Sequence, residues 1–470
     1  MKILRKAYWY CTAYLQKHGM LMLGAILVGV LLFSAFYRVI LVLSQLKKTR
    51  YIGRVGYTTL ATLPRDIQEK ISDGLTAVDE TGTPLPSLAE RWAVEDDGKT
   101  YRFVLKKNVK WQDGKDVIPQ DISYNFIDTQ ILTTTNEIIF KLKDSYAPFP
   151  IVVSQPLFRE QKTRAWFFFT QKKIIGTGTH RIIHVTQEGV RMTELELESP
   201  DERLVYRFYP TESRAFLAYK RGEVDVLEQM SGTDGLQEWK RTSITSELRK
   251  DQYLAIFFNM SDPTFDKNIR QALNYALEKP AGDERAATPL NTRSWAYNKT
   301  VKEYARDKDK AVSLLLRSVP KQRFTIEMTT VANFQQDAEH VRDAWESLGK
   351  KAVVACEQSK DVLQKSDCKN LAMQVQLHIT NAPNLSHFQV LLIAQQVLPD
   401  PDQYSIWHST QQTNFTGYRN PHVDKLLEDG RKTIDKKERK SIYQDFQQYL
   451  VEDTPAIFLR RITLYTIERL

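Results

Sequence analysis

Residues 86–126 carry a succession of turn and strand signals that constrains the fold more than any other part of the chain. Two alternating apolar segments, Trp92–Val94 and Tyr101–Leu105, flank the sequence Glu95-Asp96-Asp97-Gly98. Short carboxylates stabilise tight turns and glycine accepts a positive φ, so this arrangement predicts a β-hairpin. A second turn is predicted at Asp113-Gly114, and Pro119 is typical of the start of a helix. We expect these residues to be scaffold.

Strand and helix patterns alternate further along the chain. Leu204–Tyr209 predicts a strand, Glu212–Lys220 a helix closed by Gly222, and Val224–Val226 a second strand. This order indicates an α/β protein with helices on both faces of a sheet. The short apolar run Tyr253–Asn259 is typical of a buried strand.

The second half of the chain continues this alternation. Residues 322–328, 352–356 and 371–378 predict strands. Helices are predicted over Lys267–Glu278 and over Asp337–Leu348, where apolar residues recur at three- and four-residue spacing.

Eight short segments, spread over the chain, carry a resemblance: Leu88-Ala89-Glu90, Asp96–Lys99, Leu105–Trp111, Gly176–His180, Gly222–Asp225, Ile269–Leu273, Asn414–Tyr418 and Asp453–Ile457. In this order they resemble the family 5 extracellular solute-binding proteins, the peptide- and nickel-binding receptors of ABC importers, over roughly residues 57–467. The resemblance implies a two-lobed periplasmic-binding-protein-like fold of type II, with mixed sheets and a cleft between the lobes. The expected lobes are residues 51–252 with 455–470, and residues 253–454.

The charge distribution separates the N-terminus from the rest of the chain. Residues 1–54 contain nine basic and no acidic residues, which leaves 57 of each sign in residues 55–470. The net positive charge therefore comes from the N-terminus and not from the large domain, so a nucleic-acid partner is not expected.

Residues 19–37 are uncharged and long enough to cross the ~30 Å hydrocarbon core of a membrane. No small-residue cleavage site precedes the large domain, which favours an uncleaved signal anchor over residues 19–46, with a cleaved signal peptide as the alternative. Residues 1–18 are then expected in the cytoplasm. Basic residues flank the run equally and do not fix its orientation. The family resemblance implies a single-pass membrane protein whose large C-terminal domain is extracytoplasmic.

Sequence motifs for catalysis and metal binding are lacking. The chain has no H-E-x-x-H, G-x-S-x-G or P-loop pattern, and His180 and His184 on a predicted strand would lie about 13 Å apart. We expect no enzyme activity, no cofactor and no metal. Cys356 and Cys368 can form a disulfide in an oxidising compartment or remain two free thiols.

Ligand-binding candidates follow from the resemblance. In peptide-binding members an acidic residue accepts the α-ammonium of the ligand three positions before a D-P pair, and here that position is Val397. Valine cannot offset the desolvation of a cation, so binding is not expected to depend on a free α-amine. The Gln395 and Gln396 amides can hydrogen-bond a ligand or be ordinary strand residues. Asp400 and Asp402, beside Pro401, are expected to be turn and cap residues rather than a functional pair.

Three further residues are candidates for the cleft. Tyr404 and Trp407 are amphipathic aromatics that can line it or pack in the core, and Gln229 follows a strand of the first lobe. The predicted function is an extracytoplasmic receptor, monomeric and oligopeptide-binding, that delivers its ligand to an ABC permease. The alternative is a membrane-tethered sensor of the same fold without transport.

Overall fold

The computed structural model describes residues 2–44, 47–166, 169–358 and 365–470. The helices in these ranges are α1 (Lys2–Ser44), α2 (Arg65–Ile71), α3 (Phe149–Val152), α4 (Glu212–Lys220), α5 (Lys267–Ala276), α6 (Lys308–Leu315), α7 (Gln335–Gln358), α8 (Lys365–Cys368), α9 (Tyr404–Trp407), α10 (Pro421–Lys432) and α11 (Lys436–Asp453). The strands are β1 (Lys48–Val55), β2 (Thr76–Val78), β3 (Pro84–Pro86), β4 (Ala89–Glu95), β5 (Thr100–Leu105), β6 (Thr129–Thr133), β7 (Glu137–Leu142), β8 (Arg159–Trp166), β9 (Phe169–Ile175), β10 (Arg181–Glu188), β11 (Arg191–Glu198), β12 (Glu202–Tyr209), β13 (Val226–Met230), β14 (Thr242–Phe258), β15 (Phe324–Thr330), β16 (Met373–Ile379), β17 (Val390–Gln396) and β18 (Ala456–Arg469).

The main sheet joins two lobes through two long strands. Its order is β10-β11-β12-β1-β13-β18-β14-β17-β15-β16, with parallel and antiparallel neighbours. β10 to β13 belong to the first lobe and β15 to β17 to the second, whereas β14 and β18 run through both. Each lobe has its own apolar core, since the buried residues of the two ends form separate clusters. The fold is therefore a two-lobed α/β fold with mixed sheets, as the resemblance implied.

The pairing of β14 with β18 changes register between the lobes. Arg249 pairs with Ile462, but the next pair is Tyr253 with Arg461, so residues 250–252 form a bulge. Bulges bend and twist a strand, which makes this point a natural hinge.

A separate four-stranded antiparallel sheet, β4-β5-β7-β6, extends the first lobe. The predicted hairpin is confirmed, because Val94 pairs with Tyr101 and the turn places Asp97 and Gly98 at positive φ. The turn at Gly114 is also confirmed, with a φ of 83° and a backbone hydrogen bond to Trp111.

The helix predicted to open at Pro119 is wrong. Residues 119–121 form a single 3₁₀ turn, and the chain then becomes extended at Ile122. Beyond this point Tyr124 and Phe126 alternate onto one face, where both rings contact Phe140. Packing of Tyr124 and Phe126 against the aromatic core thus favours an extended chain, although Pro119 is typical of a helix start.

The strand predicted over residues 352–356 is also wrong, because α7 continues through it. Trp345, Leu348, Ala352 and Cys356 are all buried. Their three- and four-residue spacing keeps one apolar face toward the core, which outweighs the β-preference of the two valines. Cys356 forms a disulfide with Cys368, so the disulfide alternative holds.

The apolar run at residues 19–37 lies in α1. Within the part of the chain that the structure describes, no helix is both long enough and apolar enough to span a membrane. Residues 45 and 46, at the end of the predicted anchor, lie outside the described residues.

Candidate functional site

A cavity of about 510 Å³ lies between the lobes at the bulge of β14. Its volume falls within the range of small-molecule binding sites. We call it the interlobe cavity, and it is lined by Pro64, Arg65, Asp66, Glu69, Asp79, Glu80, Thr81, Gly82, Gln229, Arg249, Asp251, Gln252, Asn291, Ser294, Gln396, Val397, Leu398 and Pro399.

The first-lobe wall is the exposed face of α2. Arg65 pairs with Glu69 one turn away at 2.6 Å. Asp66 pairs with the buried Arg54, whose Nε also donates to Glu228 Oε2 at 2.8 Å. Burial alone would lower the pKa of Arg54, but the two carboxylates outweigh it and raise that pKa. This wall is therefore a fixed network of charges.

The floor of the cavity holds a second pair of charges, in the hinge region. Arg249 donates from Nε to Asp251 Oδ1 at 2.9 Å and from Nη2 to Oδ2 at 2.7 Å. These hydrogen bonds raise the pKa of Arg249 against the opposing effect of burial. The backbone N–H of Val397 donates to the Asp251 carbonyl at 2.7 Å, which joins the end of β17 to the bulge.

The rim is the tight turn between β2 and β3. Asp79 Oδ1 accepts from the Thr81 hydroxyl at 2.7 Å and from the N–H groups of Thr81 and Thr83. The hydrogen bond from the Thr81 hydroxyl, followed by that from the Thr83 backbone, lowers the pKa of Asp79. Gly82 follows with a φ of 81°.

This turn docks on the second lobe. The N–H of Trp295 donates to the Thr81 carbonyl at 3.1 Å, and Lys436 Nζ donates to Thr83 Oγ1 at 3.0 Å. Glu80 forms an ion pair with Arg293. The rim turn therefore bridges the two lobes beside the interlobe cavity.

A smaller cavity of about 290 Å³ adjoins the rim and shares Gly82 with the interlobe cavity. Its walls are mainly apolar and aromatic, and include Trp92, Tyr101 and Trp295.

The sequence-predicted residues fall into two groups. Gln229, Gln396 and Val397 line the interlobe cavity from both lobes. Gln229 has a φ of 60° at the irregularity where β13 leaves β18. Gln395 precedes Gln396 on β17 but is not part of the lining, and its side chain lies 3.4 Å from the Gln396 carbonyl.

The two aromatic candidates lie in the second lobe, away from the lining. Trp407 is fully buried, with its ring centroid 6.2 Å from those of Phe257 and Tyr418. Tyr404 stacks on His408 at 4.1 Å. Both aromatic side chains therefore pack against other residues of the second lobe. That any of the predicted residues contacts a ligand stays a prediction.

Asp400 and Asp402 hold the turn around Pro401. Asp400 Oδ1 accepts from the N–H of Asp402 at 2.9 Å, and Asp402 Oδ1 accepts from the N–H of Tyr404 at 3.0 Å. Arg439 and Arg431 pair with the two carboxylates. The turn interpretation is confirmed, whereas the N-cap of α9 is Gln403, which makes no side-chain capping hydrogen bond.

Sequence reasoning missed Arg249, Asp251 and the rim turn. The turn carried a signal, since Asp79-Glu80-Thr81-Gly82 is a typical turn sequence. The charges on β14 carried none, because nothing local marks which polar residues of a strand face a distant lobe. In the described ranges, no three His, Cys, Asp or Glu side chains are grouped so as to hold a metal ion.

A family model described as bacterial extracellular solute-binding proteins, family 5 middle, matches residues 83–130 and 132–396. Among curated proteins, the oligopeptide-binding protein AppA of Bacillus subtilis is 24% identical, over 87% of this chain and 85% of that protein. The dipeptide-binding protein of Escherichia coli is 21% identical, over 81% of each.

Solved structures agree on the fold. NikZ from Campylobacter jejuni, in complex with Ni(L-His), superposes with a TM-score of 0.68 at 21% identity, covering 90% of this chain and 94% of that one. The structure of AppA from Bacillus subtilis with a nonapeptide gives 0.64 at 20% identity, covering 90% and 95%.

Proposed function

The chain belongs to the bacterial extracellular solute-binding proteins of family 5, and from this premise we propose that it binds an oligopeptide-like solute between its lobes and delivers it to the permease of an ABC importer. The chain is a receptor in this proposal and not an enzyme. Its working parts are the lobes at residues 51–252 with 455–470 and at residues 253–454.

The observation that carries the proposal is the interlobe cavity, whose walls come from both lobes and whose floor is the hinge. A ligand that contacts both walls favours the closed arrangement, since only differential affinity for the two states can shift their populations. The permease would then bind the closed form. About 510 Å³ suits a short peptide rather than a long one.

Two measurements test this proposal. Native mass spectrometry of the purified full-length protein should show a co-purified ligand of peptide mass. Small-angle scattering should show a smaller radius of gyration on addition of alanine peptides of two to five residues. Absence of binding to every peptide, together with an unchanged radius, would contradict the proposal.

A membrane tether and a monomeric state complete the proposal. The uncharged run at residues 19–37, with no cleavage site after it, supports a single-pass anchor that leaves the lobes extracytoplasmic. The protein should fractionate with membranes and keep its N-terminus. A mature form beginning at residue 47 or later would exclude the anchor, and a dimeric mass in light scattering would exclude the monomer.

Transport is distinguished from tethered sensing by uptake. Loss of peptide uptake on deletion of the gene supports delivery to a permease. Unchanged uptake of a peptide that the protein binds would instead favour the sensor.

A further inference from the structure

The Arg249–Asp251 pair, which we call the floor fork, is placed to contact a ligand. Both side chains line the interlobe cavity, and they are 21% and 31% exposed. Asp251 lies in the hinge bulge and Arg249 directly precedes it, so a ligand that binds the pair contacts the part of the chain about which the lobes are proposed to move.

The floor fork has hydrogen-bonding capacity beyond its internal pair. Its two described bonds use Nε and Nη2 of Arg249 and one lone pair on each oxygen of Asp251. A guanidinium has five N–H donors, and each carboxylate oxygen accepts two hydrogen bonds. The fork can therefore accept from an ammonium and donate to an oxygen of the same ligand.

The carboxylates of the interlobe cavity differ in the structural tasks that they already have. Five carboxylates and two guanidinium groups line the cavity, and Arg54 and Arg293 behind the lining pair with two of the five carboxylates. Four of these carboxylates have structural tasks: Asp66 neutralises Arg54, Glu69 pairs along α2, Asp79 holds the rim turn and Glu80 bridges to Arg293. Among the described residues, the side-chain partner of Asp251 is Arg249 of the same strand. Glu69 is likewise paired within its own helix, but it belongs to the first-lobe wall, whereas Asp251 lies at the bulge between the lobes and is the acceptor beside both.

We propose that Asp251 accepts the protonated amine of the ligand and that Arg249 Nη1 donates to a nearby carbonyl or carboxylate oxygen. This inference rests on the proposed receptor function and specifies its ligand class as amine-bearing, short and peptide-like. Val397, hydrogen-bonded to the Asp251 carbonyl, supplies an apolar wall beside the fork. The absence of a carboxylate at position 397 then does not remove amine recognition, because Asp251 provides it from β14.

Calorimetry of the full-length protein in mild detergent tests the assignment with alanine peptides of two to five residues, each as free amine and as N-acetyl derivative. Acetylation should weaken binding by roughly 10- to 100-fold, the effect of losing a charge-assisted hydrogen bond. Asp251→Asn should weaken the binding of the free-amine peptides by a similar factor. It should also abolish the difference in affinity between the free-amine and N-acetyl peptides. Asp283→Asn is the matched control, since Asp283 pairs with Lys250 outside the cavity lining, and it should behave as wild type.

The outcomes separate this inference from the receptor function. Equal binding of both forms by wild type, or discrimination that survives in Asp251→Asn, overturns the role of Asp251 and leaves the receptor intact. Failure of every peptide to bind overturns both. If Asp251→Asn does not fold, Asp251→Glu replaces it. That variant moves the carboxylate by one methylene. It should weaken the binding of the free-amine peptides and leave that of the N-acetyl peptides unchanged, and an unchanged affinity for the free-amine peptides would overturn the assignment.

Discussion

Two of the bidentate Arg–Asp pairs in this chain lie in different surroundings. Arg439 donates to Asp400 through both terminal nitrogens at 2.8 and 2.5 Å, and each side chain is 7% exposed. The floor fork has bonds of 2.9 and 2.7 Å, but 21% and 31% of its two side chains are exposed. We call the first pair the buried fork.

The difference shows that surroundings decide the role of an ion pair. The buried fork makes more hydrogen bonds than the floor fork, because Asp400 also accepts from the N–H of Asp402 and Arg439 also donates to the Gly430 carbonyl. Burial would lower the pKa of Arg439, and Asp400 outweighs it and raises that pKa. The floor fork keeps free capacity toward a cavity and is thus suited to binding.

The largest expected effect is at the buried fork. Asp400→Ala should lower the free energy of unfolding by about 3–5 kcal/mol, because it leaves Arg439 buried and unpaired. Urea denaturation of the full-length protein measures it. Joint replacement by Leu at 400 and Met at 439 should recover most of the loss, and a cost below about 1 kcal/mol for Asp400→Ala would remove the contrast between the forks.

The rim turn should show the next largest effect. Gly82→Ala should cost about 1–3 kcal/mol, because Gly82 has a φ of 81° and an added Cβ would collide with the Pro399 carbonyl oxygen. Gly114→Ala is the control, with a φ of 83° but open space around it. Urea denaturation should give a larger loss of unfolding free energy for Gly82→Ala than for Gly114→Ala. Equal losses would show that close contact with the Pro399 carbonyl adds nothing to the cost.

A half-buried lysine, for which the described residues supply no carboxylate partner, is the third case. Lys279 Nζ donates to the carbonyl oxygens of Asn274 at 2.7 Å and Tyr304 at 2.9 Å. Burial, with a smaller contribution from nearby Arg285, lowers its pKa to about 7. Between that value and the usual lysine pKa the unfolded chain binds a proton that the folded chain does not.

The free energy of unfolding should therefore rise with pH through this window, by up to about 1.4 kcal/mol per pH unit. Unfolding curves at pH 7 and pH 8 measure the rise, and Lys279→Met should reduce it. Lys425→Met, on an exposed residue paired with Asp429, should leave the slope unchanged. An equal slope in wild type and Lys279→Met would show that Lys279 stays charged.

The smallest expected effect on stability is at the floor fork. Asp251→Asn should change the free energy of unfolding by less than about 1 kcal/mol, because solvent screens a partly exposed pair. The same denaturation assay measures it. A loss as large as that of Asp400→Ala would make the floor fork a structural pair and would weaken its assignment to the ligand.

Local patterns predicted much of the fold. The helix expected over Glu212–Lys220 has those bounds in the structure, because Thr211 caps it and its apolar residues face the sheet. Predictions failed where a distant core competed with a local signal, as at Pro119 and at residues 352–356. Packing also separated the ligand-binding candidates, because Val397 lines the interlobe cavity whereas Trp407 is buried in the core.

The sequence by itself determined the family, the α/β class, the turns and the charge-free N-terminal run, because these depend on neighbouring residues or on motifs in order. Only the tertiary structure decided which charges are buried in the core and which line the interlobe cavity. Asp400 and Arg439 lie 39 positions apart, whereas Arg249 and Asp251 are two apart. Whether either pair is buried depends on packing against residues far along the chain, which no local pattern records.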